Sequence, residues 1–491
     1  MAHNCVSMNL ASSQVKKYSN HFPDKADSMD NILDFSLEDM ALAVRNKEIK
    51  SVQLVQGFLD RIEKVNKPLN AVVLSNAEQA LKMAAKADAE LANGNLQGPL
   101  HGIPMTIKDS LDTKDTITTW GTTGRADFRP GRDATVVTRL RDAGAILLGK
   151  TNTPEFTLWF QTDNLVYGPT RNPFDTDRTP GGSSGGAAAI IAAGASPFDI
   201  GTDTGGSIRL PSHFCGITGI KPTTGRVPCT GNALPSAGLI APLSQPGPMA
   251  RYVADLAYLL PLISGPDLID PFAVPATLDD SRFVDINSLR IAFHTDNGIK
   301  TPMSEITGAV NGVVQLLADY GVSASEARPD GIEMSNFILG RIFAADGGEM
   351  VEALLEDCRT DSPSPKIQET LIRDQTEIDQ REFAQIITLW DNFRSSMLAF
   401  FDDFDVLICP VNAHTAIPLG ELEDMLNYTY TSAYNLTGWP GAVIRAGTDD
   451  HGLPIGIQIL ARPFREDYCL AVAAWLEARL GEFSKPQIHS V

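Results

Sequence analysis

The sequence predicts an α/β fold with a large mixed, mostly parallel central sheet flanked by helices on both sides. Three observations lead to this prediction. Helical and strand patterns alternate along most of the 491 residues. The strand segments are short and apolar throughout, which is typical of strands that are buried on both faces. Hydrophobic residues make up 43% of the chain, which is enough for a large buried core.

Two helical patterns open the chain. Residues 52–66 carry apolar side chains at helical spacing, and Ser51 before them is a residue type that caps helices. Ser75 and Glu78 have the spacing of a capping box for an alanine-rich helix, and Gly94 is placed to end that helix.

The next elements alternate more closely. Residues 100–109 (LHGIPMTIKD) form an apolar strand pattern broken by Pro104. Residues 133–144 predict a helix, and the apolar run 145–150 after them predicts a strand. A helix built almost entirely of small residues follows at 185–196.

The second half of the chain continues this alternation. The predicted strands cover 289–294, 405–411, 442–447 and 455–461, and the predicted helices cover 305–321, a long stretch at 366–401, and a final segment ending near Leu480. No repeat of solenoid period interrupts the pattern, so a single α/β architecture accounts for most of the chain.

Composition argues against several classes of function. The formal net charge is −20, and such a surface repels nucleic acid and anionic membranes. No apolar run reaches the roughly 18–20 residues that span a bilayer. The six cysteines show no CxxC pair and no HExxH or HxH motif occurs, so we expect reduced thiols, no metal site and a cytoplasmic location.

Two motif matches are rejected because the residues around them do not fit the structure that each motif requires. Residues 144–151 fit the P-loop pattern, but the middle of the match is apolar and Pro154 soon follows, where a P-loop needs a helix. Residues 181–185 fit the GxSxG nucleophile elbow, but the polar segment before them is no strand. His414 and His451 follow in a suitable order, so an α/β-hydrolase that uses Ser183 stays as an alternative.

Two glycine clusters carry the main functional signal: PGGSSGG at 180–186 and GTDTGGSIRLPS at 201–212. With GIPMTIKD and GKTNTPEF upstream of both clusters, and FCGITGIKPTTGRV, NLTGWPGAVI and GLPIGIQILARP downstream, the chain resembles the amidase signature family over most of its length. The resemblance implies that family's fold, and an amide hydrolase without a cofactor.

The resemblance also implies roles for individual residues. Ser207 would be the nucleophile, Ser183 would bridge it to Lys108, and Lys108 would be the base. Backbone N–H groups of Thr204, Gly205, Gly206 and Ser207 would form the oxyanion hole, and the Gly182–Ser183 peptide would be cis.

The residue types suit this chemistry. A serine hydroxyl is a weak nucleophile until a neighbouring base removes its proton. A lysine amine can be that base only when burial or nearby positive charge lowers its pKa. A second hydroxyl, which both donates and accepts, can relay the proton. Ser184 is a rival for that relay, whereas Asp203 and Arg209 are expected to brace the loop through hydrogen bonds.

The resemblance further suggests a domain organisation. We expect a flexible arm over residues 1–30 and a catalytic domain over 31–485. Within that domain we expect a signature core at about 75–263, a more variable helical or cap region at about 264–404, and C-terminal strands and a helix at 405–485. A proline- and aspartate-rich stretch at 264–281 marks the first of the internal boundaries.

The expected substrate is a neutral, hydrophobic aryl or alkyl carboxamide, with esters and carbamates as further candidates. A group of aromatic residues is predicted to line an apolar acyl pocket: Trp120, Phe156, Trp159, Phe160 and Tyr167. The alternative function is the glutaminase subunit of a tRNA-dependent amidotransferase, and a catalytically inactive binding protein is a third reading. A homodimer is the expected assembly.

Overall fold

The computed structural model describes residues 32–374, 378–421, 424–481 and 483–488. The predicted N-terminal arm at residues 1–30 and Cys5 lie outside the described residues.

The described residues form eleven strands and fourteen α-helices. The strands are β1 (Val72–Ser75), β2 (Pro104–Lys108), β3 (Ile146–Thr151), β4 (Phe198–Asp203), β5 (Thr218–Lys221), β6 (Gln245–Ala250), β7 (Ile291–Phe293), β8 (Ala324–Glu326), β9 (Val406–Pro410), β10 (Gly441–Thr448) and β11 (Pro454–Ala461). The helices are α1 (Leu37–Arg45), α2 (Ser51–Leu69), α3 (Ala77–Ala92), α4 (Thr135–Asp142), α5 (Gly185–Ala192), α6 (Arg209–Cys215), α7 (Val253–Ile263), α8 (Ser304–Asp319), α9 (Ser335–Asp346), α10 (Glu349–Cys358), α11 (Pro365–Asp374), α12 (Gln380–Leu398), α13 (Thr429–Leu436) and α14 (Glu466–Leu480).

The central sheet has eight strands in the order β4-β6-β5-β10-β11-β9-β7-β8, and β1-β3-β2 form a smaller sheet beside it. The prediction of an α/β fold around a large mixed sheet is confirmed. The prediction that the sheet is mostly parallel was wrong. Of the seven neighbouring pairs in its described strands, five are antiparallel and only β9-β7 and β7-β8 are parallel.

The error has a physical cause. Strands β4, β6, β9 and β11 are buried along their whole length because helices cover both faces of the sheet. An apolar run reports this burial and carries no information about the direction of the neighbouring strand.

Several helix ends and strand starts also differ from the predictions. Ser51 is the first residue of α2 and does not cap it, because its N–H donates to Asp88 Oδ1 (2.7 Å) and its hydroxyl to the Gly102 carbonyl (2.8 Å). Pro104 opens β2 instead of breaking it, a position where a missing N–H is tolerated. The stretch predicted as one helix at 366–401 forms the two helices α11 and α12.

Helix α5 is the packing centre behind the two glycine clusters. Its alanines and isoleucines are buried against Leu69 of α2 and against Ile208 and Cys215 from the segment after β4. Small side chains allow the close approach, and Gly186 is required because a Cβ there would lie 2.3 Å from the Asn152 backbone nitrogen. The start of α5 is thereby held rigidly between the sheets.

No helix among the described residues is long and apolar enough to cross a bilayer. The cysteines other than Cys5 are unpaired and buried. Burial raises the pKa of the Cys215 thiol well above its usual value, in line with the expectation that this cysteine packs and does not react.

Candidate active site

Three chain segments bring the predicted catalytic residues to one place. Lys108 is the last residue of β2, Ser183 lies just before α5, and Ser207 lies between β4 and α6. The Lys108 N–H donates to Asp199 Oδ1 at 2.9 Å, which joins the end of β2 to β4. The N–H of Ser184 donates to the Ser207 carbonyl at 3.2 Å, so the two glycine clusters are in direct contact.

The Lys108 amine is surrounded by hydroxyl groups. Its side chain is fully buried, and Nζ lies 2.7 Å from Ser183 Oγ, 2.9 Å from Ser184 Oγ and 2.7 Å from Thr202 Oγ1. A neutral amine has two N–H groups and one lone pair, so it can donate to two hydroxyls and accept from the third. The arrangement therefore suits an uncharged lysine.

The electrostatic surroundings lead to the same conclusion. Burial lowers the pKa of Lys108 well below its ordinary value, and the charges of Asp203 and Asp199 only partly oppose this effect. Burial also raises the pKa of Asp199 to about 6, against hydrogen bonds from Thr106 and Thr151. The lowered pKa of Lys108 favours the uncharged amine, which is the form that can act as a base.

The peptide between Gly182 and Ser183 is cis, as the resemblance predicted. Gly182 packs against the chain at Phe160, where a Cβ would lie 2.8 Å from the Phe160 backbone carbon. Among the described residues no hydrogen bond joins the hydroxyls of Ser183 and Ser207, so the bridge between them stays a prediction. Ser207 is 5% exposed and is therefore largely buried.

The loop between β4 and α6 carries Ser207, the predicted nucleophile, and is called the nucleophile loop for that reason. It is braced by a buried ion pair. Asp203 accepts hydrogen bonds from the N–H groups of Gly206 (2.8 Å) and Ile208 (3.2 Å). Arg209 binds both oxygens of the same carboxylate at 3.0 Å. Burial alone would raise the pKa of the Asp203 carboxyl, but Arg209 and its hydrogen bonds hold it well below its usual range. The predicted bracing by Asp203 and Arg209 is confirmed.

The hydrogen bonds of this loop distinguish the predicted oxyanion donors from one another. Within the part of the chain that the structure describes, the N–H groups of Thr204, Gly205 and Ser207 make no hydrogen bond. The Gly206 N–H is engaged by Asp203, which argues against its predicted role as an oxyanion donor. The roles of the other three N–H groups remain predictions that this geometry supports.

One of the predicted pocket aromatics lies against the loop. A Cβ on Gly205 would lie 3.4 Å from Phe160 Cζ, which is ordinary contact distance. The Phe160 ring stacks on Tyr428 with centroids 3.6 Å apart and planes 8° from parallel. This pair forms an aromatic wall beside Gly205.

Three of the other four predicted pocket aromatics are placed differently. Phe156 is fully buried in a separate core cluster, and Trp120 is held by Asp112 and covered by the Arg125 guanidinium. Trp159 lines a cavity of about 240 Å³ that reaches α11, whose Lys366 lies 4.1 Å from the centre of the ring. The acyl-pocket prediction is thus supported for Phe160 and overturned for Phe156, which packs in the core.

Comparison with known proteins identifies the family. The family model described as Amidase matches residues 53–470 of this chain. The chain belongs to the amidase signature family. Its fold and its general activity, that of an amidase, follow from this membership together with its relatives.

Two curated relatives and one solved structure show the range of the family. An acylamidase of Rhodococcus erythropolis is 32% identical, with 90% of this chain and 95% of the relative covered. A glutamyl-tRNA(Gln) amidotransferase subunit of Acidothermus cellulolyticus is 34% identical, with 92% and 96% covered. The crystal structure of a bacterial aryl acylamidase of the same family is 27% identical with a TM-score of 0.82, and the match covers 90% of this amidase and 96% of that chain.

Family membership and the structure settle the two rejected motifs. The P-loop match at 144–151 forms mainly the buried strand β3, as argued from its apolar residues. The α/β-hydrolase alternative was wrong, because the segment before Ser183 is not a strand and the serine precedes α5 at the edge of two sheets.

Four residues of the amidase site were missed by sequence reasoning. Thr202 contacts the lysine amine, Tyr428 stacks on Phe160, and Thr431 and Asn435 of α13 bond the nucleophile loop. Thr202 lies inside the second glycine cluster, so its place next to the glycines was a usable signal. The other three are more than 200 positions from that loop, and nothing local to them marks the contact.

Proposed function

We propose that this amidase hydrolyses neutral, hydrophobic carboxamides through an acyl-Ser207 intermediate, with Ser183 as the relay and Lys108 as the base. The observation that carries the proposal is the 2.7 Å contact between the fully buried Lys108 amine and Ser183 Oγ. A lysine with a lowered pKa in hydrogen-bond contact with a hydroxyl is an activated proton acceptor.

Acylation follows from this arrangement. Ser183 gives its proton to Lys108 Nζ as it takes the proton of the Ser207 hydroxyl. Ser207 Oγ bonds to the amide carbon, and the carbonyl oxygen becomes an oxyanion facing the N–H groups of Thr204, Gly205 and Ser207. The proton then returns from Lys108 through Ser183 to the amide nitrogen, the carbon–nitrogen bond breaks, and the amine leaves.

Deacylation runs the same relay with water. Water attacks the Ser207 ester as its proton passes through Ser183 to Lys108. Collapse of the second oxyanion breaks the ester, and the proton goes back to Ser207 Oγ as the carboxylic acid is released. This scheme requires the hydroxyls of Ser183 and Ser207 to come within hydrogen-bond distance during the reaction, and catalytic hydrogen bonds often shorten only in the substrate complex.

Two features support a hydrophobic substrate. The aromatic wall of Phe160 and Tyr428 lies beside Gly205, where the acyl group would sit. The acylamidase and aryl acylamidase relatives act, by name, on amides of this general kind. We expect 4-nitroacetanilide to be hydrolysed faster than acetamide.

A serine-directed phosphonate tests the proposal together with a substrate screen. Intact-mass measurement should show one phosphonate adduct on the purified enzyme and none on Ser207→Ala, which should also lose anilide turnover. An adduct that persists in Ser207→Ala, or acetamide turnover that equals anilide turnover, would show that the nucleophile or the substrate class is wrong.

The second candidate is the glutaminase subunit of a tRNA-dependent amidotransferase, which the Acidothermus relative favours. In that case glutamine would be the amide, and its turnover would depend on partner subunits. Glutamine hydrolysis by the isolated chain, compared with hydrolysis after co-purification with such subunits, separates the two functions. The formal charge of −20 supports the hydrolase, because it disfavours direct contact with tRNA.

A further inference from the structure

Helix α13 presents one face to the nucleophile loop. Thr431 and Asn435 are four positions apart and therefore lie one above the other on this face. The Thr431 hydroxyl donates to the Gly205 carbonyl at 2.7 Å, and Asn435 Nδ2 donates to Asp203 Oδ1 at 2.9 Å. The loop that carries Ser207 is thus supported by a helix from the far end of the chain.

The peptide between Gly205 and Gly206 is held at both ends by side chains. Its carbonyl accepts from Thr431, and its N–H donates to Asp203 Oδ1 at 2.8 Å. Thr431 Oγ1 also lies 3.0 Å from the Tyr428 carbonyl, but a hydroxyl has one proton and the Gly205 oxygen is the nearer acceptor. The carbonyl and the N–H of this peptide are therefore both bonded to side chains. The N–H groups of Gly205 and Ser207, before and after this peptide, make no hydrogen bond among the described residues.

Glycine makes this restraint necessary. Neither Gly205 nor Gly206 has a Cβ, so sterics alone leave the peptide between them many orientations. Gly206 has φ +131°, and a Cβ on it would lie 2.3 Å from Thr431 Oγ1. Position 206 has to be glycine for α13 to approach, and α13 in turn supplies contacts that restrain the Gly205–Gly206 peptide.

We propose that Thr431 is a positioning residue that fixes the Gly205–Gly206 peptide, so that the N–H groups of Gly205 and Ser207 point together at the developing oxyanion. The inference rests on the acyl-enzyme function proposed above. Thr431 does not touch the substrate in this scheme. Its hydroxyl keeps the Gly205 carbonyl away from the oxyanion position, where a partial negative charge would oppose the reaction.

The test compares Thr431→Val, which removes the hydroxyl at nearly constant shape, with Thr431→Ser, which keeps it. With 4-nitroacetanilide as substrate, we expect kcat of the valine variant to fall about 10- to 100-fold, a smaller loss than that expected when an oxyanion donor itself is deleted. KM should stay within about twofold of wild type, because Thr431 does not contact the substrate. The serine variant should recover most of kcat. Thr431→Ala serves the same purpose if the valine variant does not fold.

Thr429→Val is the matched control. Thr429 lies on the same helix and is buried, but its hydroxyl donates to the Leu426 carbonyl and accepts from Asn297, with no contact to the loop. We expect a similar fall in melting temperature with kcat unchanged. Equal kcat losses in the Thr429 and Thr431 variants, a normal kcat in Thr431→Val, or no recovery in Thr431→Ser would each overturn the inference. An active Ser207→Ala would instead refute the proposed function.

Discussion

The most direct perturbation of the proposed mechanism is Lys108→Met. Methionine has nearly the length and volume of lysine and no basic group, so the buried space stays filled while the proton acceptor is lost. Among the described residues the Ser183 hydroxyl has the lysine amine as its hydrogen-bond partner, whereas the Ser184 hydroxyl also bonds the Thr202 backbone. The substitution should therefore disconnect the relay at Ser183 and leave the surrounding polar contacts largely intact.

The size of the effect follows from general base catalysis. Loss of a positioned base lowers a rate by about 100- to 10,000-fold, which corresponds to about 3–5 kcal/mol of activation free energy. Because Lys108 is fully buried and its pKa is lowered mainly by that burial, a larger fraction of the amine is neutral at a given pH than in an exposed lysine. Its loss should therefore remove a functional base and fall within this range.

The pH profile provides a second signature. The lysine is a base only when neutral, so wild-type kcat/KM should fall about tenfold per pH unit below the lowered pKa of Lys108 and level off above it. The folded protein also binds fewer protons at this site than the unfolded chain between that lowered pKa and the ordinary value. Stability should therefore rise with pH across this window, and Lys108→Met should remove both slopes.

Lys150→Met is the matched control for this experiment. Lys150 is also fully buried, with its pKa lowered to about 8 by burial, but its amine bonds the Leu111 carbonyl and Thr113 and no catalytic serine. Anilide hydrolysis by both variants should be measured from about pH 5 to 10, a range that extends from well below to near the ordinary pKa of lysine. Melting temperatures should be measured over the same range. The reasoning is refuted if Lys108→Met keeps more than about a tenth of wild-type kcat at neutral pH, or if Lys150→Met loses as much.

Three further outcomes test neighbouring parts of the structure. Ser183→Ala should lower kcat at least about 100-fold and Ser184→Ala less than about tenfold in the anilide assay, because only the first hydroxyl is assigned to the relay; the reverse order would make Ser184 the relay. Gly206→Ala should destabilise the fold by about 1–3 kcal/mol in urea unfolding and abolish turnover, because its φ is +131° and the new Cβ would lie 2.3 Å from Thr431 Oγ1. Burial raises the pKa of Glu477 to about 7, so the stability of the fold should decrease as pH rises from the ordinary glutamate pKa to about 7. Glu477→Gln should raise the unfolding free energy at about pH 8 by up to about 3 kcal/mol and leave it unchanged at about pH 4. An equal gain at both pH values would show that ionisation of Glu477 is not the cause.

Local pattern was a good guide to individual elements of this fold. The helical spacing of apolar residues predicted α8 (Ser304–Asp319), and the apolar run before Lys150 predicted β3. Such patterns indicate which face of a helix or strand is buried, and the pattern can be recognised from the residues of that element alone. Strand direction depends on how the chain returns to the sheet, and the mostly parallel arrangement was therefore predicted wrongly.

The catalytic segments were predicted through their resemblance to a family and not through their pattern. Lys108 alone looks like any lysine at the end of a strand, and its burial under three hydroxyls follows from segments 75 to 94 positions away. General principles indicate that a lysine must be buried away from water to act as a base, but only the folded structure shows that Lys108 is buried. The support from Thr431 and Asn435 lies still further along the chain and had no local signal.

The separation of these contacts along the chain has a mechanistic reason. A loop of glycines exposes its N–H groups to the substrate because it has no side chains, and for the same reason it cannot hold its own shape. In this protein the order comes from outside the loop: Arg209 and Asn435 hold the Asp203 carboxylate, which holds Gly206, while Thr431 holds Gly205. Asn435 and Thr431 belong to α13, which directly precedes β10 and β11, so part of the order of the nucleophile loop comes from the C-terminal part of the chain. The second glycine cluster and α13 are therefore structurally coupled, although more than 200 residues separate them.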